Sequence, residues 1–372
     1  MVSGPVLCLG LHAAYQCRHS GACCRAEWRI PAEPHVLDAV VSHAIRPADV
    51  SGPLFVVTGS DPATNVVARR GDGTCVFLER HAGCLCAIHR TAGAQALPSA
   101  CRHFPREVLI DAARGILISL SHFCPTAAGL LFSAGSLEIV EARPPLRIEP
   151  PLEGLDGTEA IAPLVRPGLL SDPDGYDAWE RAGLRTLSRS DCTPDQALDL
   201  IAAATEQVRR WKPNQGPLAS CVATAFRELT PPAPGERHLG RLDGALSLAE
   251  LCAAHFPPEA GPVPELDNVW GSLVEPSIAA YDAAIRNYLG ARLFGNWMAY
   301  EGRGMRSILA WLRMALAVFR NELARRSARC GSPPERADVL EAFRATDLLL
   351  LHTIDSDAIA CTFASLEGPE PA

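Results

Sequence analysis

Lysine is almost missing from this chain of 372 residues: of 34 basic residues only Lys212 is a lysine, and the others are arginines. Schiff-base or lysine-nucleophile chemistry would have to fall on that one side chain, in the plain setting Arg210-Trp211-Lys212-Pro213. The skew itself is what a GC-rich coding bias produces. Net positive charge is missing too. A formal charge of −8 argues against a nucleic-acid backbone or an anionic membrane surface as the main partner. No apolar run approaches the roughly 18–20 residues that span a bilayer. Nor does the N-terminus carry a Lys or Arg ahead of the apolar run Val6 to Leu11, so a secretory signal is not expected. Cys8 follows Leu7 without the flanks of a lipoprotein signal. These absences together lead us to expect a cytoplasmic protein with neither a nucleic acid nor a membrane as partner.

Two further absences concern motifs. A Gly-rich strand-turn-helix for a nucleotide or S-adenosylmethionine is not visible; Glu301-Gly302-Arg303-Gly304 is too short and lacks a preceding strand. The repeated Cys-x-x-Cys pairs of zinc modules and the compact cysteine run of bacterial ferredoxins are also lacking.

Thiols, in contrast, are abundant. Of 14 cysteines, eight crowd between positions 17 and 124: Cys17, Cys23, Cys24, Cys75, Cys84, Cys86, Cys101 and Cys124. In a reducing compartment such a cluster points to metal ligation rather than disulfides. Cys23 and Cys24 reach one metal only if a turn brings them together, and Gly21 permits such a turn. Cys84-Leu85-Cys86 places two thiols on one face of an extended segment, with His89 three residues on. The ligands would come from four or five loops, and either one four-thiolate cluster or two metal centres would account for eight thiols. Cys192, Cys221, Cys252, Cys330 and Cys361 lie among Ala, Leu and Val and are expected to pack as small hydrophobes. His89 and His103 are either ligands or loop-orienting hydrogen bonders. His255 and His352 lie on apolar helices and are expected in the core or on the surface. Arg102 and Arg106 are placed to offset thiolate charge or to hold a substrate carboxylate. Trp28, Phe104 and Phe123 would wall the site or fill the core.

The expected fold class is α+β: a small metal-organised Cys-rich domain with short strands over residues 1–142, then a mainly α-helical domain over 175–372. A Pro-rich linker or surface wrap over 143–174 joins them. The patterns predict a short helix over Val36–Ile45, strands at Leu54–Val57 and Cys75–Leu78, and a hairpin of Glu107–Asp111 with Ile116–Ser121. Thr193-Pro194-Asp195 predicts a helix start leading to Trp211, with Thr193 as cap. Further helices are predicted over 216–229, 246–255, 275–298, 304–328 and 334–357.

The order Cys17…Cys23-Cys24…Trp28…Ile30-Pro31 resembles a known family. The likeness runs on through Cys75-x-Phe77-Leu78, Cys86-x-Ile88-His89, Gly93…Leu97-Pro98…Cys101-Arg102-x-Phe104-Pro105-Arg106 and Ser121-x-x-Cys124-Pro125. The family is that of the zinc- or iron-chelating cysteine-cluster proteins, which includes the flagellin lysine N-methylases. The helical remainder, including Asn287-Tyr288-Leu289 through Phe294, is similar in layout. The resemblance implies a bound iron-sulfur cluster, or a Zn or Fe ion, and methyl transfer from S-adenosylmethionine to a lysine-bearing, flagellin-like protein substrate. The alternatives are a non-catalytic zinc- or iron-binding module and an electron-transfer protein. One departure stands out: many family members carry Cys-x-x-Cys-Gly-x-Cys-Cys in the first element, and here Ser20 takes the second cysteine's place. The site then has one sulfur fewer, or recruits Cys84 or His19.

Overall fold

The computed structural model describes residues 4–26, 28–59, 64–79, 85–147, 152–160, 163–227, 229–230 and 264–353. The N-terminal part mixes short strands and helices. It begins with β1 (Val6–Leu9), α1 (Ala22–Arg25), α2 (Pro34–Ser42), β2 (Phe55–Thr58) and β3 (Thr64–Val67). β4 (Leu78–Glu79), β5 (Leu85–Cys86), α3 (Ala87–Ala92) and α4 (Ser99–His103) follow. The hairpin β6 (Arg106–Asp111) and β7 (Gly115–Leu120) forms as its alternation predicts, with Val108 opposite Ile118. After α5 (Pro125–Leu130), the chain adds β8 (Ile139–Glu141), β9 (Leu155–Asp156), β10 (Leu164–Arg166) and β11 (Leu169–Leu170).

The main sheet has five strands in the order β8-β1-β7-β6-β9, with β1 parallel to β7 and β9 parallel to β6. Side chains alternate across it, and both faces are buried. Leu9, Leu109 and Leu117 point into the large core formed with the helices. Val6, Cys8, Val108, Ile118 and Leu120 point the other way, onto Tyr15, Cys124 and Ala127. Thus the first strand, read in the sequence only as an apolar run, lies inside the sheet. The Pro-rich stretch supplies an edge strand in β9 and the two-stranded β10–β11 ribbon.

From Pro173 onward the described chain is helical. Helix α6 (Pro173–Leu187) is capped by Asp172, whose carboxylate accepts the Gly175 N–H. Helix α7 (Pro194–Val208) starts at the predicted Thr193, which with Gln196 forms a reciprocal capping box. Helix α8 (Leu218–Arg227) matches its expected span closely. The predicted helix over 275–298 is broken into Glu275–Ile278, a 3-10 turn at Ala279–Tyr281, Asp282–Leu293 and Met298–Glu301. Helix Met305–Cys330 is the long central one, and Arg336–Asp347 continues as a π-turn, Leu348–Thr353. The expected helix at 246–255, with Cys252 and His255, lies outside the described residues, as do Cys84 and Cys361. Among the described residues no helix is long and apolar enough to cross a membrane.

Three differences from expectation have local causes. Cys75-Val76-Phe77 is a turn rather than a strand: Cys75 makes an isolated bridge to Arg69, and pairing begins only at Leu78. Cys330 is exposed because it is the last residue of its helix, whereas Cys192 is buried as expected. His352 belongs neither to an apolar core nor to the open surface; it faces a cavity described below.

Candidate functional site

Gly21 adopts φ +71°, a left-handed conformation that glycine reaches without strain, and turns the chain into α1. That turn brings the sequence-adjacent Cys23 and Cys24 to one place. The Ser20 hydroxyl accepts the Ala22 N–H at 3.4 Å, so the serine helps hold the turn. Cys75 is fixed beside them, because its backbone N–H donates to the Cys24 carbonyl at 2.8 Å. Cys86 closes β5 and opens α3, and Cys101 sits in α4. Cys124 precedes Pro125 at the start of α5, and Cys17 lies in the exposed loop before Gly21.

Seven of the eight cysteines singled out above, namely Cys17, Cys23, Cys24, Cys75, Cys86, Cys101 and Cys124, line a single cavity of about 310 Å³. The remaining one, Cys84, lies outside the described residues. His19, His89, Arg102, Phe104 and Arg106 complete much of the wall. The described cysteines are free thiols. As they stand, no three His, Cys, Asp or Glu side chains among the described residues are grouped so as to hold a metal ion.

The thiols are not equivalent. Hydrogen bonding to Cys24 pulls the Cys75 thiol down to about 7, and the same donor lowers Cys23. Cys24 is correspondingly driven up. Burial pushes Cys86 up to about 11, and burial with the nearby Cys23, Cys75 and Cys86 raises Cys101. Thiolate is the ligating and nucleophilic form, and the shifts at Cys23 and Cys75 run toward it.

The histidines divide as well. His103 is buried and both ring nitrogens are used: Nδ1 donates to the Ser99 carbonyl at 2.9 Å and Nε2 accepts the Glu153 N–H at 3.0 Å. It therefore orients the Cys101 helix against the Pro-rich segment. His89 faces the cavity with its ring 5.3 Å from that of His19. Arg106 bridges to the Leu146 and Pro145 carbonyls at 2.5 and 2.6 Å and lies 5.5 Å over the Tyr15 ring.

Phe104 and Arg106 also line a second cavity, of about 470 Å³, which thereby shares a wall with the first. Trp28, Phe294, Trp297, Trp311, Glu107 and His352 are prominent in its lining. Trp28 packs on Phe104, Phe123 and His352, with ring centroids 5.4, 5.6 and 4.7 Å away. The three aromatic residues expected to wall the site thus form one cluster beside it.

Beneath this cluster lies a polar network with no signature in the sequence. His122 donates its backbone N–H and Nδ1–H to Asp347 Oδ2 at 2.5 and 3.0 Å. The Tyr288 hydroxyl donates to Asp347 Oδ1 at 2.8 Å, and His12 Nε2 is 3.3 Å from His122 Nε2. Arg292 donates to Glu107 at 2.8 Å and to the Leu120 carbonyl at 2.5 Å. Ser121 pairs with His352 Nε2 at 2.7 Å. Ser121, His122 and Phe123 are each held from the helical side, Phe123 through its carbonyl, which accepts the Arg344 Nε–H at 2.9 Å. Tyr15 is a further residue that spacing did not point to; its hydroxyl is 3.9 Å from the Cys124 sulfur.

The chain matches no family model, no characterised protein and no solved structure.

Proposed function

We propose that the protein binds an iron-sulfur cluster in the cysteine-lined cavity. The observation that carries this reading is the convergence of seven thiols, drawn from segments up to 107 residues apart in sequence (124 − 17), on one cavity of about 310 Å³. A single tetrahedral zinc needs four donors aimed at one point. Seven thiols around one cavity exceed the four that a single zinc takes and fit instead a body several atoms across, which a polynuclear cluster is. A thiol-rich donor set also suits iron-sulfur chemistry better than hard cations.

When bound, such a cluster supplies electron transfer or an iron site for a ligand. The chain's own groups would hold it by thiolates, exclude water with Phe104 and offset negative charge with Arg102 and Arg106. A reaction partner has a place to approach, since the aromatic cavity lies across the shared Phe104–Arg106 wall. Resemblance to the flagellin lysine N-methylases supports methyl transfer from S-adenosylmethionine to a lysine of a protein substrate. Reduced thiols support a cytoplasmic setting.

The test is elemental analysis with an optical spectrum on protein purified without oxygen. A brown protein with iron and inorganic sulfide, bleached by dithionite, is expected. A colourless protein carrying stoichiometric zinc, or no metal, overturns the reading. Calorimetry with S-adenosylmethionine on the loaded protein tests the methylase part; absence of heat refutes that part alone.

A further inference from the structure

The seven thiols fall on two walls. Cys24 and Cys75 are buried in the small N-terminal core with Val36, Val67, Phe77 and Ile88, and Cys23, Cys86 and Cys101 pack against that same core. Cys124 belongs to a different core, the face of the five-stranded sheet that holds Tyr15, Val108 and Leu120. Its sulfur faces the Tyr15 hydroxyl. Cys17 stands on the exposed loop at the rim of the cavity and accepts a hydrogen bond from the His19 N–H at 3.4 Å.

We infer that the metal centre is held by the inner wall alone, with ligands drawn from Cys23, Cys24, Cys75, Cys86 and Cys101, and that Cys17 and Cys124 are not ligands to it. Resting on the proposed cluster, this assignment departs from the ligand set that the family resemblance implies. A two-iron or four-iron cluster takes four thiolates. The inner wall supplies five without help, anchored in one rigid core. The serine at position 20 is consistent with this: it lies on the Cys17 side of Gly21, where the loss of a thiol leaves the inner five intact and a hydroxyl suffices to hold the turn.

The experiment uses the intact protein, loaded and purified anaerobically. Iodoacetamide is added while the visible spectrum is followed, and modified cysteines are located by peptide mass spectrometry. Cys17 should alkylate to completion with less than a tenth of the chromophore lost, while the inner five stay unmodified. A protected Cys17, or bleaching in step with its modification, overturns the assignment. The variants Cys17→Ser and Cys124→Ala should each retain the iron and sulfide content of the parent, and at least four of the five single Ser variants at Cys23, Cys24, Cys75, Cys86 and Cys101 should lose at least half. If Cys124→Ala does not fold, Cys17→Ser and the alkylation pattern still decide. Parent protein without iron would refute the cluster reading itself; iron-loaded parent with Cys17 protected refutes only the division of the thiols.

Discussion

Asp347→Ala should be among the most damaging single substitutions in this molecule. The carboxylate is fully buried and accepts three hydrogen bonds, two from His122 and one from Tyr288. Burial alone would raise its pKa, but Arg292 and His122 outweigh burial and hold it well below the usual carboxylate range. Removing it strands three donors, and each unsatisfied buried donor costs about 1–3 kcal/mol. Arg292 keeps Glu107 at 2.8 Å and the Leu120 carbonyl, so its charge is not wholly abandoned. Breaking a buried charged network by one partner costs about 3–5 kcal/mol, and we take ~4 kcal/mol here. With an m-value of about 3 kcal/mol/M, the urea midpoint should fall by a little over ~1 M. Asp347→Asn can keep its carbonyl oxygen on the His122 donors and turn its NH2 to the Tyr288 hydroxyl, but it removes the charge facing Arg292, so it should cost less than Asp347→Ala. Equilibrium urea unfolding followed by circular dichroism measures both. A loss under ~1 kcal/mol for both variants would refute the view that this network fixes the cysteine-bearing segment.

Two more outcomes follow from the geometry. Burial lowers the pKa of His12, His122 and His352, the last to about 4. A histidine whose folded pKa lies below its unfolded value of about 6.5 stabilises the fold above that pH and ceases to do so as pH falls toward the folded value. Stability should therefore decline as pH drops from about 6.5 toward 4; urea midpoints that stay level or rise over that window contradict the buried, neutral state of these rings. Gly154→Ala drives a methyl group into the Val108 carbonyl where β9 joins the sheet. It should cost about 1–3 kcal/mol as overpacking does, and a thermally unchanged variant would show that this edge yields freely.

Local chemistry was the readable part of the sequence. Thr193-Pro194 announced its helix because cap and first-turn residues act within a few positions. Val108 and Ile118 announced their hairpin through period-two alternation. Gly21 beside Cys23-Cys24 pointed to the turn that brings those thiols to one cavity. Pairings across long separations carry no such mark. Nothing near Val6 tells that it lies parallel to Ile116, and nothing near His122 tells that its partner stands 225 positions away. Likewise the helix expected over 275–298 misses the irregular turns around Pro276 and Gly295, since apolar spacing persists across both breaks. The division of the thiols between two cores was hidden for the same reason: core membership is a property of the whole fold.

The grip of Asp347 on His122, two residues before Cys124, has a bearing on biogenesis. A chain emerging N-terminus first from the ribosome exposes its thiols well before Asp347, 225 positions after the His122 it holds, has been made. Until synthesis passes that point, His122 lacks the acceptor that fixes it beside the thiols.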